Sequence, residues 1–361
     1  MGIRTARHTR PPLNTDSSNT VPSVPGGREA ERMQRMNVLV TGGAGYVGAA
    51  AVKALAAAGH QVWVYDNLCT GHRAAVPPEW LIEGDLHDVA LLRTTLRERQ
   101  IEAVLHFAAF AYVGESVVDP ARYYHNNVAG SLALLNAMRA EGVSRIVFSS
   151  STATYGTPSR IPITEDEPQR PINPYGFTKL AVERALADYA AAYGLGYAAL
   201  RYFNAAGALA DGSHGEDHRP ETHLIPLVLQ VALGQREKIV VFGDDYPTAD
   251  GTCVRDYVHI EDLATAHVQA LERLEPGTAL QLNLGTGRGY SVRQVIDACH
   301  RVTGRPISVE IGPRRPGDPA ELVADATKAR QVLGWQPRYT ELEAIVETAW
   351  RWHQAHPAGY Q

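Results

Sequence analysis

Short, continuous apolar runs recur along the first half of the chain: Val38–Val40, Val62–Tyr65, Trp80–Ile82, Ala103–Phe107, Ile146–Phe148 and Tyr197–Leu200. Segments of helical length separate most of them, such as the alanine-rich stretch Val47–Ala58 that Gly59 ends. Strands apolar at every position are buried on both faces, and such strands alternating with helices predict a parallel sheet covered on both sides. The expected class is therefore α/β, a Rossmann-type doubly wound parallel sheet. After Arg201-Tyr202-Phe203-Asn204 the alternation gives way to Gly-, His- and Pro-rich pieces with one helical pattern near Ile225–Leu233. A smaller C-terminal substrate-binding lobe is expected over residues 204–361, with segments such as Gln281–Gly285 returning to the large domain of residues 36–203. Residues 1–35 hold Pro11-Pro12, Pro22 and Pro25-Gly26-Gly27 among scattered arginines and lack apolar periodicity. They read as a disordered extension, a targeting segment or a start upstream of Met33 or Met36.

Length and charge narrow the picture. At 361 residues the chain exceeds the ~250–300 residues at which single cores stop growing, which favours two lobes. The 34 Lys+Arg against 39 Asp+Glu, with no basic block, argue against a nucleic-acid partner. Cys69, Cys253 and Cys299 lie far apart without Cys-x-x-Cys spacing, so neither a disulfide framework nor a metal site is expected, and a reducing cytoplasm fits. The longest apolar runs fall well short of the ~20 residues that cross a bilayer, so no membrane partner is expected.

Three groups of residues carry the candidate chemistry. Gly42, Gly45 and Gly48 follow the first strand and open the first helix, with Tyr46 and Val47 between them. In that setting glycines let a pyrophosphate approach the helix N-terminus, although the Gly-x-x-Gly-x-x-Gly spacing departs from the commoner Gly-x-Gly-x-x-Gly. Asp66, 18 residues past Gly48 at the end of the second strand, can accept from ribose hydroxyls and would repel a 2′-phosphate, so NAD is favoured over NADP despite nearby Arg73. Asn67 follows it, and Asp85-Leu86 ends the third strand, where Asp85 meets an adenine amino group or caps a helix. Phe107-Ala108-Ala109 offer small residues beside the cofactor or plain core. Tyr175 and Lys179, four apart on one helix face, follow Ser149-Ser150-Ser151. A tyrosine with a pKa near 10 serves as a base at neutral pH only beside a cation, which Lys179, alone or with a positive nicotinamide ring, supplies, and Ser151 can donate to the substrate oxygen or relay its proton.

Together these motifs resemble the UDP-glucose 4-epimerase family of extended short-chain dehydrogenase/reductases. The likeness rests on Thr41–Gly48, Asp66–Gly71, His106–Ala109, Val113–Ser116, Asn126-Asn127, Tyr175–Lys179, Arg201–Asn204 and Asp245–Tyr257, and spans Met36 to Tyr360. It implies tightly held NAD and a UDP-sugar inverted at C4 through a 4-keto intermediate. It places Asn126, Ser149 and Phe203 at the cofactor. Arg255 and Arg315 fall on the diphosphate, where planar guanidinium gives a bidentate grip. Asn204 falls by the sugar, Asp318 by the ribose, and Val240-Val241-Phe242 by the base. His223, beside Leu224, stands where relatives carry an asparagine near the diphosphate, or else starts a helix. Leu322 stands where some relatives carry a tyrosine, which would widen the sugar pocket for an N-acetyl group unless it is simple core. Ala111 replaces a lysine of some members. The run from His106 to Ser116 is also similar to UDP-arabinose 4-epimerases, so pentoses stay open beside UDP-glucose, UDP-galactose and the N-acetylhexosamines.

Rival readings share the fold. A 4,6-dehydratase needs an Asp-Glu pair that Ser151-Thr152-Ala153-Thr154 lacks, and nothing marks a carboxylate site for a C5 decarboxylase. A non-catalytic NAD-binding regulator would have no need for Ser151, Tyr175 and Lys179. A plain alcohol dehydrogenase would accumulate NADH. Relatives pair through two helices, here Ala121–Ala140 and Tyr175–Tyr193, so a homodimer is expected, with Leu132, Leu135, Leu180 and Leu186 on the paired faces or against the sheet.

Overall fold

The computed structural model describes residues 35–315 and 318–360. The disorder expected of the N-terminal extension concerns residues 1–34, which lie outside them. From Asn37 the chain runs β1 (Asn37–Thr41), α1 (Tyr46–Ala57), β2 (Gln61–Asp66), β3 (Leu81–Glu83), α2 (Val89–Glu98) and β4 (Ala103–His106). It continues through α3 (Val113–Val118), α4 (Pro120–Tyr123), α5 (Gly130–Ala140), β5 (Arg145–Ser151), α6 (Pro174–Tyr193), β6 (Gly196–Tyr202), β7 (Asn204–Ala206) and α7 (Leu224–Ala232). The remainder is β8 (Ile239–Phe242), β9 (Val254–His259), α8 (Ile260–Glu272), β10 (Ala279–Leu284), β11 (Gly289–Ser291), α9 (Val292–Thr303), β12 (Val309–Gly312), β13 (Glu321–Leu322), α10 (Thr327–Leu333) and α11 (Leu342–Ala355).

Seven strands form one sheet in the order β10-β6-β5-β4-β1-β2-β3, and every neighbouring pair is parallel. Successive side chains of β1 enter opposite cores, as a pleated strand requires: Val38 and Val40 join one apolar cluster with α1 and α8, and Leu39 joins the other with α2, α5 and α6. Strand order reverses at β1, which pairs with β4 on one side and β2 on the other, so a crevice opens at the carboxyl ends of these strands. Beyond β6 the chain builds two small sheets, one holding β7, β9, β11 and β13 and one pairing β8 with β12. It returns twice to the large sheet, where α8 packs on α1 and β10 forms the edge beside β6.

Two elements differ from expectation. Trp80 lies in a short 3-10 turn and the strand starts at Leu81. The helix expected over Ala121–Ala140 runs on from α4 into α5 with right-handed dihedrals at both junctions, but a π-helical turn over Tyr124–Ala129 interrupts its regular hydrogen bonding. Leu135 and Leu186 face the sheet, being 2 % and 0 % exposed.

Candidate active site

Tyr175 is positioned by the start of α6. Asn173 is the N-cap, its side-chain oxygen accepting the Gly176 N–H at 2.8 Å, and Pro174 opens the first turn with a φ already suited to a helix. The first turn therefore sets Tyr175 over the carboxyl end of β5, and Lys179 follows one turn on. Ser151 ends β5 and lines the cleft with Tyr175, its Oγ accepting from the Ala153 N–H at 3.1 Å. Gly176 sits so close to the chain that a Cβ there would meet the Ala153 carbonyl oxygen at 2.3 Å.

Lys179 by itself does not hold Tyr175 as a phenolate. The Lys179 ammonium donates to the Ser149 carbonyl at 2.7 Å and lies 5.8 Å from the Tyr175 ring centroid. Burial pushes the Lys179 pKa down to about 7, with Glu183 opposing. Burial likewise raises the Tyr175 phenol above its usual value, and the nearby Ser151 hydroxyl offsets this only in part. Tyr175 thus rests protonated, and a further positive charge in the cleft is needed to draw its proton off. Beneath the pair, Arg201 and Glu183 form a buried ion pair at 2.6 Å, each side chain 5 % exposed. Ser150 also donates to Glu183, and Arg201 Nη1 donates to the Tyr155 hydroxyl at 2.9 Å, so α6, β5 and β6 are locked together under the reacting groups.

The crevice itself is a cleft of about 1200 Å³. Gly42, Gly45, Tyr46, Val47 and Gly48 line one end. Gly42 has φ +71°, and a Cβ there would lie 2.4 Å from the Ala108 amide nitrogen; a Cβ on Gly48 would lie 2.2 Å from the Gly42 carbonyl oxygen. Gly45 differs, since its only neighbour within 4 Å is that same oxygen at 3.3 Å. It caps α1 with no side-chain bond, so the first amides of the helix point into the cleft, a donor set suited to a pyrophosphate. Asp66 is 7 % exposed, lines the cleft and is fixed by the amides of Ala44 at 3.0 Å and Leu68 at 2.8 Å. Arg73 is paired with Glu83 at the surface and is not among the residues that line the cleft. Asn67 donates to Asp85 at 2.8 Å. Asp85 caps no helix; Asp88 does so for α2. Leu86, Phe107, Ala108, Ala109, Ala111 and Asn126 line the same region, Asn126 standing in the π-helical turn and donating to Asn127 at 2.9 Å. These groups fit a dinucleotide with an unphosphorylated adenosine ribose.

At the other end Phe203, Asn204, Leu224, Val240, Arg255, Asp318 and Leu322 line the cleft. Arg255 is paired with Asp318 and also donates to the Val254 carbonyl at 2.7 Å. The Arg315 guanidinium lies 4.0 Å over the Phe242 ring. Leu322 does double service, packing with Phe203, Tyr155 and Ile163 in a small buried cluster while one side meets the cleft. His223 stands at the N-cap of α7 without capping it, its Nδ1 instead meeting Glu216 at 2.7 Å and Glu221 at 3.1 Å. Burial alone would lower this imidazole, but the two carboxylates outweigh it and raise its pKa to about 10. The partners Glu216, His218 and Glu221 escaped the sequence reading; their only signal is Glu-x-His-x-x-Glu-x-His over residues 216–223, which also reads as a solvated charged loop. Asp256 escaped it too, although it binds β9 to the loop after β10 by accepting the amides of Thr286 at 2.9 Å and Gly287 at 3.0 Å.

A parallel sheet, a glycine turn at its switch point and a Ser-Tyr-Lys set facing the same cleft define a dinucleotide-dependent enzyme acting on a carbinol. Residues 38–285 match the NAD dependent epimerase/dehydratase family, and the chain belongs to that family. It is 54 % identical over 326 residues to the UDP-glucose 4-epimerase of Halalkalibacterium halodurans, covering 90 % of this chain and 98 % of that protein. The crystal structure of UDP-glucose 4-epimerase from Brucella ovis in complex with NAD is 54 % identical with a TM-score of 0.84, covering 87 % of this chain and 97 % of that one. The UDP-glucose 4-epimerase of Bifidobacterium longum in complex with NAD+ and UDP is 40 % identical with a TM-score of 0.86, covering 90 % and 100 %.

Proposed function

We propose that the protein interconverts UDP-glucose and UDP-galactose by inversion at C4 with a resident NAD. The observation that carries this is Tyr175, held by α6 in the same cleft as Ser151 and Lys179, which the glycine turn at the start of α1 lines together with Arg255 and Arg315. Gly42, Gly45, Tyr46, Val47, Gly48, Asp66, Asn67, Asp85 and Leu86 would hold the adenosine and pyrophosphate. Phe107, Ala108, Ala109, Asn126, Ser149, Lys179 and Phe203 would surround the rest of the cofactor. Bound NAD supplies a reversible hydride acceptor, so the sugar is oxidised and reduced with none consumed. Tyr175 takes the proton of the C4 hydroxyl and later returns it, Ser151 holds that oxygen, and Lys179 with the cofactor's positive charge favours the phenolate.

Arg255 and Arg315 would grip the diphosphate, Arg255 exchanging Asp318 for phosphate, with Asp318 freed toward the ribose. Asn204 and Leu322 would face the sugar and Val240 and Phe242 the base, with Leu224 and the remaining ring nitrogen of His223 on the diphosphate side. Residues 36–203 are thus assigned to the cofactor and 204–361 mainly to the sugar nucleotide. We also assign a homodimer, supported by Val117, Val118 and Phe177, which are 62 %, 86 % and 48 % exposed around α3 and α6. A cytoplasmic site accords with three free cysteines and with no described helix long and apolar enough to cross a membrane.

The test is incubation of pure protein, without added NAD, with UDP-galactose, UDP-GalNAc and UDP-arabinose in turn, followed by chromatographic separation of the C4 epimers. UDP-glucose should form from UDP-galactose with no net reduced nicotinamide. No epimer from any sugar, even with NAD supplied, would overturn the assignment.

A further inference from the structure

The wall of the cleft next to the glycine turn carries a group whose geometry the proton transfers above do not require. Glu216, His218, Glu221 and His223 each offer one ligand atom, and these atoms all lie within 4.8 Å of one another. Both imidazoles aim Nδ1 inward. His218 Nδ1 is 3.2 Å from Glu216 and 3.5 Å from Glu221, and His223 Nδ1 is 2.7 and 3.1 Å from the same two carboxylates. A zinc ion with nitrogen and oxygen ligands at ~2.0–2.1 Å holds neighbouring ligand atoms about 3.3 Å apart at the corners of a tetrahedron. The four imidazole–carboxylate separations bracket that value, and the other two edges lie within 4.8 Å.

A second observation points the same way. His218 Nδ1 is a buried atom with no hydrogen bond of ordinary geometry, although it faces two carboxylates. Two crossed ion pairs would be expected to align that N–H on one oxygen, whereas a metal needs the lone pair directed at the common centre. Charge balances as well, since two carboxylates and two neutral imidazoles carry −2 and one divalent ion cancels it. Both Glu side chains are nearly covered, Glu216 at 5 % and Glu221 at 6 % exposure, so their charge must be offset, either by protons on the two imidazoles or by one divalent ion that displaces them. The surroundings are built to hold the loop: Glu221 accepts the amides of Thr222 at 2.7 Å and His223 at 2.8 Å, and Asp217 accepts the Tyr360 amide at 2.9 Å. The Tyr46 ring of the glycine turn and the Tyr112 ring stand edge-on to His218 at 6.0 and 5.9 Å.

We propose that Glu216, His218, Glu221 and His223 form a closed, four-coordinate site for a zinc-class divalent cation, which fixes the loop between β7 and α7 against the glycine turn. The sequence reading, guided by cysteine spacing, expected no metal site. Two imidazoles select against magnesium and calcium, which take six or more oxygen ligands. All four positions come from the protein, so the ion is structural, and the proposal stands apart from the epimerase assignment.

The experiment uses full-length, untagged protein purified without chelator. Elemental analysis should find about one zinc per chain. Protein stripped with EDTA and loaded with cobalt(II) should show the intense visible bands of a tetrahedral site, and zinc should bleach them. H218N and E221Q should each weaken zinc binding by at least about tenfold and abolish those bands, whereas H125N, an exposed histidine away from the group, should behave as wild type. Absence of tetrahedral cobalt bands in the wild type would overturn the proposal, and that arm holds even if the variants fail to fold. Equal zinc binding by wild type and H218N would mean an adventitious ion only and would overturn it as well.

Discussion

Tyr175 is the residue on which turnover depends, and its burial works against it, because a buried phenol resists ionisation. Tyr175→Phe removes the group assigned to take the C4 proton. Turnover of UDP-galactose should fall about 10²- to 10⁴-fold, while the NAD released on heat denaturation stays at the wild-type amount per chain. Lys179 yields a prediction whose sign can be worked out. Its folded pKa of about 7 lies below the unfolded value near 10.4, so between these values the unfolded chain binds more protons and stability rises with pH. Over the same range His223, whose pKa the carboxylates raise to about 10, works in the opposite direction, so the Lys179 contribution is read against a variant: in urea unfolding of cofactor-free protein the wild type should gain on Lys179→Met between pH 7 and pH 9, and no gain would show the ammonium to be better solvated than its burial implies. At this scale much was legible in the sequence. Tyr175 and Lys179 announce themselves because spacing on a helix dictates a shared face, and Ser151 because it closes the apolar run of β5. The direction of the Lys179 ammonium, toward the Ser149 carbonyl, was not legible, since it depends on where β5 ends relative to α6.

At the scale of elements, the turn between β1 and α1 tolerates no side chain on its inner glycines. Gly48→Ala would set a methyl 2.2 Å from the Gly42 carbonyl oxygen, so either the turn opens or the helix withdraws. The purified variant should lose most of its co-purifying NAD while keeping its circular dichroism, with ultraviolet absorbance and chromatography of the released nucleotide as the measure. The Arg201–Glu183 pair beneath the reacting groups obeys a different logic. Replacing Arg201 with Met strands a carboxylate that is 5 % exposed, at a cost of about 3–5 kcal/mol in urea unfolding. A cost below 1 kcal/mol would mean that water or a neighbouring cation reaches Glu183. The strands were legible because all-apolar runs such as Val38–Val40 have few other uses. The π-helical turn at Tyr124–Ala129 was not, because one inserted residue shifts a helical pattern too little to stand out, yet it is what presents Asn126 to the cleft.

At the scale of the whole molecule, the chain leaves the large sheet after β6, builds the small sheets, and comes back as α8 and again as β10. The return of Gln281–Gly285 was readable from its apolar run; the way α8 docks on α1 was not, because both helices are alanine-rich and neither names its partner. This double return bears on how sugar pockets could be exchanged between relatives. A single recombination joint at Phe203 would leave one parent's β6 zipped to the other parent's β10, and one parent's α1 to the other's α8. Such a hybrid should melt below both parents, whereas a hybrid that restores native α8 and β10 should recover the loss. Diversification by swapping whole halves is thereby discouraged, and new specificities must arise by substitution within the interrupted segments.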